Sequence, residues 1–439
     1  MDWGYASPEF LPDGRTLLFT NVQDWNWDDA EILALPNGGS PRFLLKGGAN
    51  PVYASAGYLL YMLSGALLAA PFDARHLELT GPGVPILDGV MQAVGTPNSD
   101  YESGIGQFAV SRLGTLVYAD GGIYPPYTGS MVRLDRSGAA VDLHFNDVAF
   151  GLRLSPDDRR LVATKRATNS RTVNVELYDL ERGTSTPLTS DGASGWPIWS
   201  VDGQPVLFTV GSRIDSVAAD GGGAREIVFN KGSDGATPAS WSRDGRWLAI
   251  LLSMARTQIL VRPMAEKGEP RIFLESGSNT SGSFRIFDPE FSPDSKWITY
   301  TSSETGALEV YVQAFPGPGE KHRISPNGCM NPAWAPSGRE LFYLEPAMPG
   351  DLRRGSKMMA VDIDDRASFR ASAPHELFAV RDGLPRWSLE TIPVRSYDVY
   401  PDGRHFIASL LEHQTDPQVA QLNVVLNWFD ELKRRVPTR

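Results

Sequence analysis

The sequence predicts an all-β chain that folds as a β-propeller of four-stranded antiparallel blades. A strand–turn–strand pattern recurs nine times along the 439 residues, at a period of about 44. Two further strand-like segments follow nearly every copy, which gives four strands per period, as in a propeller blade. The helical period of 3.6 residues is missing from these repeats, which excludes a helical solenoid, a coiled coil and an α/β sheet.

Asp288–Gly319 is the clearest copy of the repeat. Its first strand ends at Phe291, and Trp297–Thr301 and Val310–Val312 supply two more strands. These segments are rich in β-branched and aromatic residues, which fit a half-buried pleated surface. Pro293 presets φ for the intervening turn. A meander of this size is marginal by itself, so it requires neighbouring copies.

One turn position aligns all nine copies. It holds glycine or a turn-tolerant residue, which predicts a positive φ at each hairpin corner. An aspartate precedes this position in several copies, and we interpret these aspartates as turn caps rather than catalytic groups. The aligned residues are Gly14, Gly57, Gly114, Asp158, Gly203, Gly245, Ser295, Gly338 and Gly403, and the aspartates are Asp13, Asp157, Asp202, Asp244, Asp294 and Asp402.

Aromatic residues recur in register near the end of the first strand of each copy. A stripe locked to the repeat predicts packing between blades, because a blade buries both faces. These residues are Phe10, Tyr53, Phe108, Trp199, Trp241, Phe291, Trp334 and Tyr400.

Ring closure has two solutions in the sequence. The ninth copy supplies strands at Tyr397–Tyr400, His405–Leu410 and Asn423–Asn427, and then the chain turns helical over Trp428–Val436. If Ala139–Phe145 supplies its fourth strand, copies four to nine form a six-bladed ring and copies one to three a partial N-terminal module. We favour this solution over one eight- or nine-bladed ring closed by residues 1–6.

The predicted domains follow from this solution. Residues 1–130 hold three blades, residues 131–429 form the six-bladed ring, and residues 430–439 form a helical tail. In the tail, acidic residues precede basic ones, as the helix dipole prefers.

At this point the repeats resemble a known family, that of the TolB-like propellers. The match extends to longer segments, namely FSPDSKWITYTSSETGALEVYVQAFPGPGEKHRIS, NPAWAPSGRELFY, LLAAPFDARHLELTG and NVVLNWFDELKRRVP. They resemble the sensor-type region found C-terminal to bacterial serine/threonine protein kinases, and the resemblance spans essentially the whole chain. It implies a binding role and a periplasmic or extracytoplasmic location. The kinase motifs, namely a Gly-rich phosphate loop, HRD and DFG, are absent from the sequence, so we interpret the chain as a detached or truncated propeller region.

Composition limits the partners. The net charge of −11 argues against nucleic acid and anionic membrane surfaces, which bind Lys and Arg. Cys329 is the only cysteine, so no intramolecular disulfide forms, and we expect a small buried residue there. The N-terminus shows no signal peptide. The most apolar run, Tyr58–Phe72, fits two strands and a turn better than a membrane span.

No catalytic motif is found. The sequence lacks the Gly-x-Ser-x-Gly elbow, a phosphate loop, a dinucleotide fingerprint and His-Glu-x-x-His, and we expect no cofactor. Its six histidines occupy non-equivalent positions, which argues against a metal-bound cluster. One cluster of acidic residues could bind Ca²⁺, but we interpret the cluster as part of a solvated loop. It consists of Asp24, Asp28, Asp29 and Glu31. We therefore expect no metal site.

The candidate binding site is the rim opposite the turns. Binding residues concentrate in loops on a rigid scaffold, and the longest insertions fall on this rim. They carry aromatic and arginine side chains, the types enriched at interface hot spots. The insertions are Thr96–Ile105, Asn230–Thr237, Gly277–Phe287 and Arg381–Arg395. The candidate residues are Tyr101, Glu102, Trp196, Phe284, Arg285, Phe287, Arg386 and Trp387.

Three functions remain open from the sequence. The favoured one is a non-enzymatic propeller that binds an unknown protein or small molecule and acts as a sensor or scaffold. The second is a hydrolase or lyase acting on a small molecule or glycan in the central channel. The third is a structural partner module in an envelope complex.

Overall fold

The architecture is given by a computed structural model of the chain. It describes residues 3–23, 27, 30–94, 103–124, 127–166, 172–232, 235–253, 256–265, 268–279, 282–317, 319–326, 328–348, 351–380, 386–387, 395, 397–413, 419 and 421–436. One α-helix accompanies many antiparallel sheets in this part of the chain. Within it, no helix is long and apolar enough to cross a bilayer.

The chain divides into two compact units. The first comprises Met1–Tyr127 and His413–Arg439, and the second comprises Thr128–Ala167 and Thr172–Glu412. We number the blades one to nine, in the order of the sequence copies. Blades one to three belong to the first unit, and blades four to nine to the second.

Six blades make up the ring of the second unit, and a two-stranded sheet, Ser278–Asn279 with Gly282–Ser283, accompanies them. In blades four to eight the strands follow one another in chain order from the innermost to the outermost. Blade four is Ala149–Leu154, Arg160–Arg166, Val173–Asp179 and Thr184–Pro187; blade five is Ser194–Trp199, Pro205–Val210, Arg213–Ala218 and Glu226–Asn230; blade six is Gly235–Trp241, Trp247–Ser253, Thr257–Pro263 and Arg271–Glu275. Blade seven is Ile286–Phe291, Trp297–Ser302, Glu309–Ala314 and Lys321–Arg323; blade eight is Met330–Trp334, Glu340–Met348, Asp351–Asp364 and His375–Val380.

Blade nine closes the ring with strands from both ends of the unit. Tyr397–Val399 pairs with His405–His413, and His405–His413 pairs with Tyr127–Asp135. Tyr127–Asp135 pairs in turn with Ala140–Asp142. The innermost strands contact one another in cyclic order, from blade four to blade nine and back to blade four. The six-bladed ring is therefore confirmed, and Ala140–Asp142 is the fourth strand that the sequence predicts within Ala139–Phe145.

The predicted third strand of blade nine is wrong. Tyr127–Asp135 fills that place, whereas Asn423–Val425 pairs with Leu116–Tyr118 in the first unit. A short apolar segment fits either sheet equally well by pattern, so only the pairing itself decides. The domain limits 1–130, 131–429 and 430–439 stay predictions.

Packing between neighbouring blades supplies the hydrophobic core. Between blades six and seven, for example, Leu251 and Val261 pack against Ile298 and Tyr300, all fully buried. Each such side chain contributes about 1.5–3 kcal/mol on burial. Of the predicted aromatic stripe, Trp199, Phe291 and Trp334 are buried in such interfaces.

The hairpin corners have the predicted conformation. All nine aligned turn residues have positive φ, between 58 and 92°. The preceding aspartates act as caps: Asp244 Oδ1, for example, accepts bonds from Ser242 Oγ at 2.6 Å and from the Arg246 backbone N–H at 3.0 Å. These hydrogen bonds lower the pKa of the Asp244 carboxyl, although burial opposes them. The interpretation as turn caps is confirmed.

The first unit contains the remaining sheets. Blade one is Trp3–Phe10, Thr16–Gln23, Glu31–Pro36 and Arg42–Lys46; blade two is Ala49–Ala54, Tyr58–Leu63, Ala66–Asp73 and Val84–Leu87, with Glu78–Leu79 beside it. Blade three is Phe108–Val110, Leu116–Tyr118 and Asn423–Val425, and Gln92–Ala93 pairs with Ile123–Tyr124.

Two further predictions concern residues of this unit, and a third concerns Cys329 in the ring. The helix spans Trp428–Arg435, as expected, and buries Trp428 and Leu432. Phe10 was predicted to pack between blades, but it is 64% exposed, because it pairs with Leu17 on the face of the first sheet opposite to the buried Leu18. Cys329 is fully buried in the ring, in agreement with the prediction.

Candidate functional site

The innermost strands of the ring share an irregularity at one repeat position. A register shift interrupts their pairing with the second strand in blades four to eight. In four of these bulges one residue has a positive φ of 51–61°: Gly151, Trp196, Asp288 and Asn331. Bulges re-aim side chains and are frequent next to binding sites. For the three non-glycine residues the conformation is strained, so the surroundings must support it.

Hydrogen bonds between blades supply this support. The Trp196 backbone N–H of blade five donates to Thr164 Oγ1 of blade four at 2.7 Å. Asn331 Nδ2 of blade eight donates to Asp288 Oδ2 of blade seven at 3.1 Å. Each bond links a strained residue to the neighbouring blade, so the bulges are part of the ring's construction.

A cavity lies where these bulges meet, at the centre of the ring. A water molecule can reach about 30 Å³ of it, inside about 470 Å³ of space that is partly open to solvent. Blades four to eight all line it, together with Arg395, which precedes blade nine. The polar and charged lining residues are Arg153, Trp196, Thr237, Asp288, Glu290 and Arg395.

Arg395 is the centre of a buried charge network. Its Nη1 lies 2.5 Å from Glu290 Oε2, and its Nη2 lies 2.7 Å from Asp398 Oδ1. Nη1 also donates to the carbonyl oxygen of Pro332 at 3.2 Å. These contacts join blades seven, eight and nine through one guanidinium. Burial lowers the pKa of Arg395, whereas the carboxylates of Glu290 and Asp398 raise it, and the net result is a pKa above the ordinary value.

Asp398 extends the network across the ring closure. While Oδ1 accepts from Arg395, Oδ2 accepts a 2.8 Å bond from the Leu154 backbone N–H of blade four. Glu290 makes the equivalent contact one position along the ring, since its Oε2 accepts from the Trp334 backbone N–H of blade eight at 3.4 Å. The same repeat position thus carries carboxylates that bond to the next blade.

Two carboxyl groups in the cavity are held towards the protonated form. Burial raises the pKa of Asp288, against the attraction of Arg153 and Arg395 and the bonds from Asn331 and Thr301. Burial likewise raises the pKa of Glu290, although Arg395 pulls it down. Displaced carboxyl pKa values are typical of binding and catalytic sites.

Of the two arginines that line the cavity, Arg153 has the fewer protein partners. Among the described residues its guanidinium makes one hydrogen bond, a 2.8 Å bond from Nη1 to the Leu152 carbonyl oxygen, and no ion pair. Burial lowers its pKa to about 10, and repulsion by Arg395 adds to this. Within the same described part of the chain, the buried Trp196 Nε1 and Arg395 Nε have no hydrogen-bond acceptor.

The structure separates the residues predicted as the site. Trp196 lines the cavity. Phe287 is buried, Phe284 packs against the interface of blades six and seven, and Arg285 is exposed. The backbone of Arg386–Trp387 pairs with Leu410 and Leu411 at the end of His405–His413 that is remote from the turn. Tyr101 and Glu102 lie outside the described residues.

The residues that sequence reasoning missed are the charged ones at the bulges. Arg153, Glu290 and Asp398 occupy the repeat position directly before the end of the innermost strand, where other copies have Ile198 or Ala333. A charge at a repeat position where blades five and eight have apolar residues is a signal that the sequence contains. A second signal is an X-Pro dipeptide directly before this position, as in Trp196-Pro197, Asp288-Pro289 and Asn331-Pro332.

No group of three or more His, Cys, Asp or Glu side chains in the described part of the chain is placed to hold a metal ion. Of the acidic group in the first blade, Asp24, Asp28 and Asp29 lie outside the described residues. Glu31 accepts a 3.1 Å bond from Asn21 Nδ2, across the pair of strands.

Comparison with solved structures agrees with this architecture. The chain is similar to a putative TolB from Agrobacterium tumefaciens, at 18% identity and a TM-score of 0.50, over 65% of this chain and 99% of that one. TolB from Acinetobacter baumannii matches at 13% identity, a TM-score of 0.39 and coverages of 84% and 79%. An oligogalacturonate lyase from Vibrio parahaemolyticus matches at 11% identity and a TM-score of 0.40, over 72% of this chain and 81% of that one.

No protein-family model matches the chain. At such low identities the solved structures inform on the fold and leave the chemistry open. The chain therefore has a TolB-like β-propeller fold, built from a six-bladed ring and a partial N-terminal module.

Proposed function

We propose that this protein is a non-enzymatic binding propeller whose ligand, a small molecule or a segment of a protein, enters the central cavity of the six-bladed ring. The observation that carries the proposal is the cavity itself. It gathers charged and aromatic side chains from several blades. Trp196 and Asp288 have strained backbone conformations there, and Arg153 and Glu290 occupy a repeat position where blades five and eight have apolar residues. Rigid scaffolds with a few convergent polar groups are typical of ligand sites.

A sensor or scaffold role in a bacterial signalling or envelope protein fits this binding role. The segments that resemble the region C-terminal to bacterial serine/threonine kinases support it, as does the TolB-like fold. In such a role the ring would report ligand binding to another part of a larger assembly. This link rests on resemblance and is part of the proposal.

The test is to obstruct the cavity and measure binding. Ala239 lines the cavity, so Ala239→Trp fills it. Ala224 is exposed between the third and fourth strands of blade five, and Ala224→Trp adds the same side chain away from the cavity. We expect hits from a thermal-shift screen of metabolites and short peptides to stabilise the wild type and Ala224→Trp, but not Ala239→Trp. Equal stabilisation of all three proteins would place binding elsewhere and overturn the proposal.

An enzyme is the second candidate, because two carboxyl groups of raised pKa, Asp288 and Glu290, lie beside arginines in the cavity. Such groups suit general acid–base catalysis near neutral pH. A panel of hydrolase and lyase substrates, with and without divalent metal ions, separates the candidates. Turnover by the wild type that is lost in Ala239→Trp would establish the enzyme and refute the binding-only proposal.

A further inference from the structure

Arg153 has unused binding capacity inside the ring. A guanidinium carries five N–H donors, and the described residues accept only one bond from Arg153. A cation withdrawn from water is costly, and proteins usually pair it directly with a carboxylate. Arg153 is half-buried and makes no ion pair in the described part of the chain; Asp398, Glu290 and Asp288 attract it, while Arg395 repels it. The ring keeps the cation nonetheless, at a position where other blades have Ile198 or Ala333.

We propose that Arg153 is the anchor for a carboxylate of the ligand, which enters the cavity and pairs with its guanidinium. This inference rests on the proposed function, because it names the chemical class of the group that the same cavity binds. The carboxylate would supply the directly bonded counter-ion that no described residue gives Arg153. Arginine and carboxylate form two parallel hydrogen bonds in the preferred geometry, which gives direction as well as strength.

The other charges of the cavity are already engaged, which favours an anionic over a cationic ligand group. Glu290 and Asp398 both bind Arg395. Asp288 accepts bonds from Asn331 and Thr301, at 3.1 and 3.4 Å. Each carboxylate of the lining thus already accepts hydrogen bonds from the protein, whereas Arg153 makes a single hydrogen bond and most of its donors are left for an anion.

The dimensions of the cavity fit one small group. The 30 Å³ that a water molecule can reach cannot hold a whole metabolite, but it suits the tip of one. Trp196 lines the same cavity, with its buried Nε1 lacking an acceptor among the described residues. An indole N–H is a donor only, so it would also suit a carboxylate oxygen. The rest of the ligand would remain in the wider space towards solvent.

The test uses the full chain and a matched pair of probes, glutarate and its neutral diamide. We expect glutarate at millimolar concentrations to raise the melting temperature of the wild type, and the diamide to have no effect. Arg153→Gln should weaken glutarate binding by about tenfold or more, since a charged hydrogen bond is lost. Arg153→Lys should recover part of the binding, because it keeps the charge but loses the fork.

Arg256→Gln is the control for a general loss of positive charge, because Arg256 is exposed and pairs with Glu275 at 3.2 Å. It should bind glutarate as the wild type does. The melting temperature of Arg153→Gln without ligand should stay close to that of the wild type, since Arg153 makes no ion pair among the described residues and its one hydrogen bond goes to the adjacent Leu152. This measurement excludes misfolding as the cause of lost binding.

The remaining outcomes separate the inference from the proposed function. If glutarate binds equally to the wild type and Arg153→Gln but not to Ala239→Trp, the carboxylate anchor is wrong and the cavity remains the binding site. Equal stabilisation by glutarate and the diamide, or no response of the wild type to glutarate, would also overturn the anchor. If library hits bind Ala239→Trp as well as the wild type, the proposed function itself fails.

Discussion

Replacing Arg395 with glutamine tests whether the charge network holds the ring together. Arg395→Gln removes the ion pairs to Glu290 and Asp398 and the hydrogen bond to the Pro332 carbonyl oxygen. It leaves two carboxylates in the ring without their cation. Because these contacts join blades seven, eight and nine, we expect the substitution to destabilise the whole second unit.

The expected magnitude follows from burial. Removing one partner of a buried ion pair typically costs about 3–5 kcal/mol. The Arg395 side chain is 5% exposed, whereas Glu290 and Asp398 retain 24% and 15%. Their residual hydration favours the lower end, about 3 kcal/mol. For a unit of this size, that loss corresponds to a fall in melting temperature of about 6 °C.

Chemical denaturation and calorimetry of the full chain measure the effect. Arg366→Gln is the matched control, because Arg366 pairs with Asp364 at 2.8 Å but the two side chains are 86% and 49% exposed. An exposed pair contributes less than about 1 kcal/mol. If Arg395→Gln changes the free energy of unfolding no more than Arg366→Gln does, the network does not stabilise the ring and our reasoning is refuted.

Three further predictions follow. Gly129→Ala should destabilise the protein by about 3 kcal/mol or more, because the new Cβ would lie 2.1 Å from the backbone oxygen of Asp147. Gly245→Ala, where the new Cβ has open space and φ is 74°, should cost about 1–2 kcal/mol. Equal losses in urea denaturation would contradict this. Burial raises the pKa of Asp288, so the native state holds its proton above pH 3.8, and ionisation costs stability as pH rises through the native pKa. Asp288→Asn should therefore gain stability over the wild type as the pH rises. Parallel curves of stability against pH for the two proteins would exclude this. A fragment of residues 127–412, which includes both closing strands, should be soluble and melt cooperatively in calorimetry, and aggregation would show that the second unit needs the first.

Local chemistry explains why the turns could be predicted. The residue at each hairpin corner must adopt a positive φ, and few residue types do so without strain. Gly245 and Asp244 therefore identify the turn wherever they stand in the fold. The same holds for the helix Trp428–Arg435, whose charges follow its dipole.

The bulges of the innermost strands could not be predicted in this way. Trp196 and Asp288 precede prolines, which normally favours extended backbone. Their positive φ results from contacts with the neighbouring blade, such as the bond from the Trp196 N–H to Thr164. Partners of this kind are about 30 residues distant in sequence, so no local pattern contains them.

By itself, the sequence determined the blade: its period, its turns, its four strands, and hence an all-β propeller. These features follow from interactions between residues a few positions apart. The tertiary structure alone decided that Tyr127–Asp135, rather than Asn423–Val425, joins the last blade, because the pattern of so short a segment as Asn423–Val425 fits either sheet. It also decided the site. Arg153 and Arg395 are brought to one cavity by the closure of a ring, and their charges interact only across that closed space.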